Sequence, residues 1–130
     1  MDNDTPQSVI SAGQAVYEVL NEALAHSVTK VFPVVTDEAV LPYVCYHREA
    51  LEATPTKARH SADTAVVQVD IYAATYDQSV TLAEAVRQAL DWRTITTSTG
   101  LVVRSCYLTD AKEDWQDDAY IQTLTFRLSC

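Results

Sequence analysis

Between Thr64 and Tyr76 the apolar side chains fall on alternate positions, with Val67, Val69, Ile71 and Ala73 on one side. Val66, Gln68, Asp70 and Tyr72 occupy the other. That period belongs to a strand with one distinctly dry face. The spacing then changes. Val80, Ala83, Val86 and Leu90 recur in steps of three or four, with Leu82 near the edge of the stripe and Glu84, Arg87, Gln88 and Asp91 outside it. This predicts an amphipathic helix, beginning at Gln78 or Ser79 with Asp77 as its cap. Two dry faces so close along the chain form a core by packing on each other.

Helical spacing also marks Val9, Ala12, Val16, Val19, Leu20, Ala23 and Leu24, capped by Ser8 or Ser11 and fading near His26 and Ser27. Pro33 interrupts Lys30 to Val35 and removes a ladder donor, so this segment reads as an irregular or edge strand. Leu41 to Leu51 reads as a better strand, with Pro42 at its start. Glu52 to Ala62 reads as an exposed connection carrying Lys57, Arg59 and His60, either a solvated loop or a contact surface for an acidic partner. Arg93 to Gly100 reads as a turn and Leu101 to Leu108 as a strand. Asp110 to Asp118 reads as an acidic turn before a last strand, Ala119 to Leu128. In that strand Tyr120, Leu124, Phe126 and Leu128 share a side that Gln122 interrupts.

The expected fold is α+β, in the order α-β-β-β-α-β-β: a mainly antiparallel sheet with two helices on one face. Residues 1–7 are expected to be a flexible N-terminal segment and residues 8–130 a single α+β domain. The expected helix-free face carries Arg104, Thr123, Thr125 and Arg127 mixed with Tyr72, Val102 and Ile121, which suits partial solvation or another subunit.

Charge narrows the function classes. Nine Lys and Arg against eighteen Asp and Glu leave a formal charge of −9, a field that repels nucleic-acid backbones. Cys45, Cys106 and Cys130 make a poor disulfide framework, and the first two lie in expected strands as small reduced hydrophobes. No apolar run approaches membrane-spanning length and the first residues lack a secretory signal, so synthesis in a reducing cytoplasm is expected.

Candidate chemistry is sparse. Gly13 and Gly100 make no phosphate loop, and neither a nucleophile elbow nor a zinc helix is present. His26, His47 and His60 fall in three different elements. Asp110, Glu113, Asp114, Asp117 and Asp118 lack the glycine and spacing of a calcium-binding loop and read as a solvated turn, in which Trp115 folds back or anchors a partner. Asp70 calls for a partner if its face is dry, with Arg104 or Arg127 as candidates. No catalytic, cofactor-binding or metal-ligating residue is assigned, and no cofactor is expected.

Two short motifs carry a resemblance. Leu41-Pro42-Tyr43-Val44-Cys45-Tyr46 opens one strand. Val67-Gln68-Val69-Asp70-Ile71-Tyr72-Ala73-Ala74 leads into the helical run Ser79 to Leu90. Over roughly residues 9–128, the order of elements and these motifs resemble the tail-terminator-like and tail-completion proteins of long-tailed bacteriophages and prophages. The resemblance implies a non-enzymatic structural protein that self-associates, often as a hexameric ring, at the head-proximal end of the tail tube. It implies the major tail tube protein and head–tail connector proteins as partners, with no membrane and no sequence-specific nucleic-acid binding. It also implies assembly in the bacterial host cytoplasm and residence in the virion tail. A head–tail connector or neck protein, and a small ligand-binding module or enzyme, remain the alternatives.

Overall fold

A computed structural model describes residues 12–24, 28, 30–33, 40–52, 64–98, 100 and 102–129. The elements run α1 (Ala12–Ala23), β1 (Lys30–Pro33), β2 (Tyr43–Glu52), β3 (Thr64–Ala73) and α2 (Tyr76–Leu90), then β4 (Ile95–Thr96), β5 (Val102–Val103), β6 (Ser105–Gln116) and β7 (Ala119–Ser129). Five strands form one sheet in the order β1-β2-β3-β7-β6, and β4 pairs with β5 in a separate ribbon. The β2–β3, β3–β7 and β7–β6 pairs are antiparallel, whereas β1 lies parallel to β2 at the edge. The fold is therefore α+β with a mainly antiparallel sheet, as expected. The segment holding Ser8, Ser11, His26 and residues 1–7 lies outside the described residues.

Alternation sorts β3 cleanly. Ala65, Val67, Val69, Ile71 and Ala73 are fully buried, and opposite them β7 supplies Leu128, Phe126, Leu124, Gln122 and Tyr120. Both helices pack against this side and against each other. Helix α1 contributes Ala15, Val16 and Leu20, with Leu24 just beyond its end, and Ile95 and Val103 of the small ribbon complete the same core. Removing these apolar surfaces from water is what holds helices to sheet, at about 1.5–3 kcal/mol per large side chain.

Four expectations need correction. Helix α2 begins at Tyr76, because Thr75 Oγ1 accepts from the Gln78 amide and caps it. Asp77 sits inside the first turn, where its charge faces the positive end of the helix dipole. The buried stripe is Ser79, Leu82, Val86 and Leu90, so Leu82 is central while Val80 and Ala83 are half-buried. The stripe rotates because Ser79 satisfies its own hydroxyl by donating to the Tyr76 carbonyl at 2.7 Å, which lets a polar residue enter the core.

The expected strand Leu101 to Leu108 is split at Arg104, whose amide donates to the Ser129 carbonyl as the chain crosses from ribbon to main sheet. That crossing buries both Val103 and Cys106, which a continuous strand would place on opposite faces. The acidic turn is the largest correction. Residues 110–116 continue β6, paired with β7 as far as Gln116↔Ala119, leaving Asp117 and Asp118 as the turn. Both have positive φ, 52° and 63°, the requirement of a type I′ hairpin turn.

Candidate functional site

The sheet has two unlike ends. At one, Glu52 pairs with Thr64, Thr64 with Ser129, and Ser129 with Ser105. At the other, Ala73 pairs with Tyr120 and Tyr120 with Trp115, and the β6–β7 hairpin runs on to its turn. Helix α2 starts beside the hairpin and returns along the sheet. Its C-terminus is tied to β6 by Asp91, which accepts from the Leu108 amide at 2.8 Å and from Arg87 Nε at 3.1 Å.

The hairpin end is acidic and aromatic. Glu113, Asp114, Asp117 and Asp118 share it with Trp115, which is 55% exposed, and with exposed Tyr76, while Asp110 lies nearer mid-sheet, paired with Thr125. Glu113 is its organising group. One carboxylate oxygen accepts from the Tyr76 hydroxyl and from Gln122 Nε2, both at 2.9 Å. Gln122 is only 7% exposed and also donates to Ser79 Oγ. These donors favour the ionised form, so the Glu113 carboxyl titrates below its ordinary value, first through Gln122 and then through Tyr76. Gln122, the interruption in an apolar series, is thus the buried strut that joins hairpin to helix.

Two adjoining concavities flank this strut. One, of about 220 Å³, is lined by Val80, Ala83, Glu84, Arg87, Leu108 and Ala111 among others. The second, of about 210 Å³, lies between Tyr76, Trp115 and Tyr120, with Glu113 and Asp114 at its wall. Tyr76 and Tyr120 meet edge-on at 6.0 Å. Together they make an open groove with an aromatic floor and carboxylate rim.

At the opposite end the character reverses. Trp92, 78% exposed with φ of 62°, packs its ring edge-on against Tyr107 at 4.7 Å, and Arg93, Arg104 and Ser105 line the surface beside it. Arg127 lies two residues from the Ser129 register. Neither Trp92 nor its patch was singled out by periodicity, because a lone aromatic after a helix has no pattern to belong to. Lys57, Arg59 and His60, expected in an exposed connection, lie outside the described residues.

The helix-free face gathers residues that sequence left scattered. Cys45 pairs with Asp70 and His47 with Gln68 across β2 and β3. Asp70, 7% exposed, accepts from Thr123 Oγ1 at 2.8 Å and from Gln68 Nε2. The register puts Thr123 opposite Asp70 and moves Arg127 farther along the strand, so neutral donors satisfy the carboxylate where an arginine was expected. His47 contacts Glu49, Cys45 is buried, and Tyr43 stacks on Tyr72 at 4.6 Å. Cys106 is a free thiol in the core whose pKa burial, then Asp91, pushes up to about 12. Among the described residues no group of His, Cys, Asp and Glu is arranged to hold a metal ion, and no helix is long and apolar enough to cross a membrane.

Fold and surface define an α+β protein whose distinctive surface features are the acidic, aromatic groove and the exposed Trp92. The chain belongs to the family of the tail completion protein gp17, whose model matches residues 14–129. Among solved structures, one similar chain comes from the virion of a native gene transfer agent particle. It is 20% identical with a TM-score of 0.72, and the match covers 94% of this chain and 98% of that one. A second is 13% identical with a TM-score of 0.61 over 95% of each chain. At these identities both likenesses concern the fold alone. No curated protein matches the chain closely enough to add a function.

Proposed function

We propose that this protein is a non-enzymatic structural component of a phage or prophage tail that ends tail-tube polymerisation and helps join tail to head. Its membership of the tail completion family over residues 14–129 carries this reading. It acts as a closed ring of identical subunits, with a hexamer as the expected state. Its partners are the major tail tube protein on one side and head–tail connector proteins on the other. A ring needs two different, complementary surfaces on each subunit, and the unlike ends of the sheet supply candidates. Assembly takes place in the host cytoplasm, after which the ring resides in the virion tail.

The test is polymerisation of the tail tube protein with and without this chain, with tube lengths and ends imaged by electron microscopy. The expected result is shorter tubes bearing a ring at one end. Unchanged tube lengths with bare ends would sink the reading, and binding to portal complexes but never to tubes would make the protein a connector.

A further inference from the structure

The chain has two tryptophans, Trp92 and Trp115, and both are exposed. Trp92 follows the end of α2 and donates its amide to the Cys106 carbonyl at 2.7 Å, which fixes it beside β6. Next to it the exposed Arg93 donates through Nε and Nη2 to the Gln88 carbonyl, at 3.2 and 3.1 Å. Those bonds position the guanidinium, but they meet a neutral group and leave its charge uncancelled there. At the hairpin end, Asp114 and Trp115 wall a concavity with Tyr76 and Tyr120. Asp114 is held at that wall by accepting from the Trp115 amide at 2.7 Å. Along β6, Glu113 at the groove's near wall is seven residues from Cys106, and Trp115 is nine. At strand spacing these are about 23 and about 30 Å, more than an arginine or tryptophan side chain spans. Both sites are anchored to β6, so within one chain the basic knob cannot enter the acidic groove.

We propose that the groove between Tyr76, Trp115 and Tyr120 receives Trp92 and Arg93 of a second copy of this chain. Charge selects that occupant. The groove offers aromatic rings to a guanidinium, with the Glu113 and Asp114 carboxylates beside them. Hydrogen bonds from Gln122 and Tyr76 keep Glu113 ionised. Each copy carries a formal charge of −9, so most ways of docking copy on copy set acid against acid. The Trp92 end, where Arg93 and Arg104 line one surface, meets this groove with attraction instead. Because the two surfaces lie at opposite ends of the sheet, each contact is head-to-tail and leaves one surface of each kind for the next copy. Repetition gives a ring if the rotation closes and a filament if it does not. The contact presupposes the self-association proposed above and names the residues that make it.

A charge swap tests it without touching the Glu113–Gln122 strut. One variant carries Arg93→Glu and the other Asp114→Lys, both at exposed positions. Sedimentation velocity of each alone is expected to show association at least about tenfold weaker than the parent's, as for close interfacial charge pairs. An equimolar mixture regains association, because intact surfaces then meet each other and the altered ones meet as a reversed pair. That recovery also shows that both variants are folded. In the parent, emission from the two tryptophans shifts to the blue as association buries them. A parent that stays monomeric, association without a blue shift, or a mixture no more associated than its parts overturns the proposal. Association unchanged by either substitution overturns it too, and assigns the groove to a different protein or to a segment of the same chain. Tube capping is read separately: capping with association insensitive to both substitutions rejects this contact alone, whereas charge-dependent association without capping rejects the tail-tube role alone.

Discussion

The two ends of the sheet are built from the same strands and differ in nearly everything else. The hairpin end is acidic, with Trp115 and Tyr76 exposed around a groove. At the opposite end Arg93 and Arg104 lie beside the exposed Trp92, and Arg127 pairs with Tyr107 in the sheet. Between them runs a continuous core from Leu128 and Val67 to Ile71 and Ala73. Opposite charges at opposite ends of a stiff body cannot neutralise one another within a chain, because screening over such a span is complete at ordinary salt. They attract only across molecules. A large exposed aromatic at each end gives each surface an anchor of the kind that dominates interfaces.

The comparison breaks most completely in the core. Phe126 is fully buried and lies opposite Val67 in β3 and Leu108 in β6. Phe126→Ala is expected to cost about 3–5 kcal/mol and to lower the stability of both ends together in a single thermal transition. Separate melting of the hairpin and of the α1 region would show that the ends do not share a core.

Gln122→Ala probes the hairpin end alone. It removes a buried amide that donates to Ser79 and Glu113, an expected cost of about 1–2 kcal/mol. Hydrogen exchange should quicken across 110–116 and at the start of α2, while β4 and β5 keep their protection. Uniform loss of protection would contradict a strut local to this end.

A gain is expected at the turn. Asp118 holds φ of 63°, a conformation glycine adopts without a Cβ penalty. Asp118→Gly should raise stability by about 0.5 kcal/mol in a denaturant titration, and a loss would mean that the carboxylate has a structural partner.

The smallest effect concerns protons. Glu113 has its folded pKa lowered from 4.5 by the Gln122 and Tyr76 hydrogen bonds. Its contribution to stability is therefore present above about pH 4.5 and is lost as pH falls through the lower folded value. Glu113→Gln should lower stability modestly at neutral pH and flatten the fall below pH 4.5, so that variant and parent converge in acid. An unchanged acid limb would show that these bonds do not favour the carboxylate.

Much of the fold was legible because its main strand and helix obey simple periods. The dry face of β3 is recovered residue for residue, and Pro33 marks the end of the edge strand β1. The acidic strand was not legible. Residues 109–118 are exposed on every position, so no apolar alternation exists to be read. They form a strand because β7, whose own alternation is sharp, supplies backbone partners, and backbone pairing is indifferent to side-chain polarity. The groove was hidden for the same reason, since Tyr76, Glu113 and Gln122 meet only when that strand is extended beside α2.

By itself, the sequence determined an α+β chain with one dry strand face, two amphipathic helices to cover it and an excess of acidic charge. Those properties are local: each depends on residues within a few positions of one another. Tertiary structure alone decided that the acidic run is a hairpin arm, that Gln122 links it to Ser79 and Tyr76 through Glu113, and that basic and acidic groups lie at opposite ends. These are consequences of strand register, set by backbone hydrogen bonds and the burial of Phe126, Leu124 and Leu128 against β3. A shift of one residue would turn each of those side chains to the other face, so the core that holds the sheet together also places the groove.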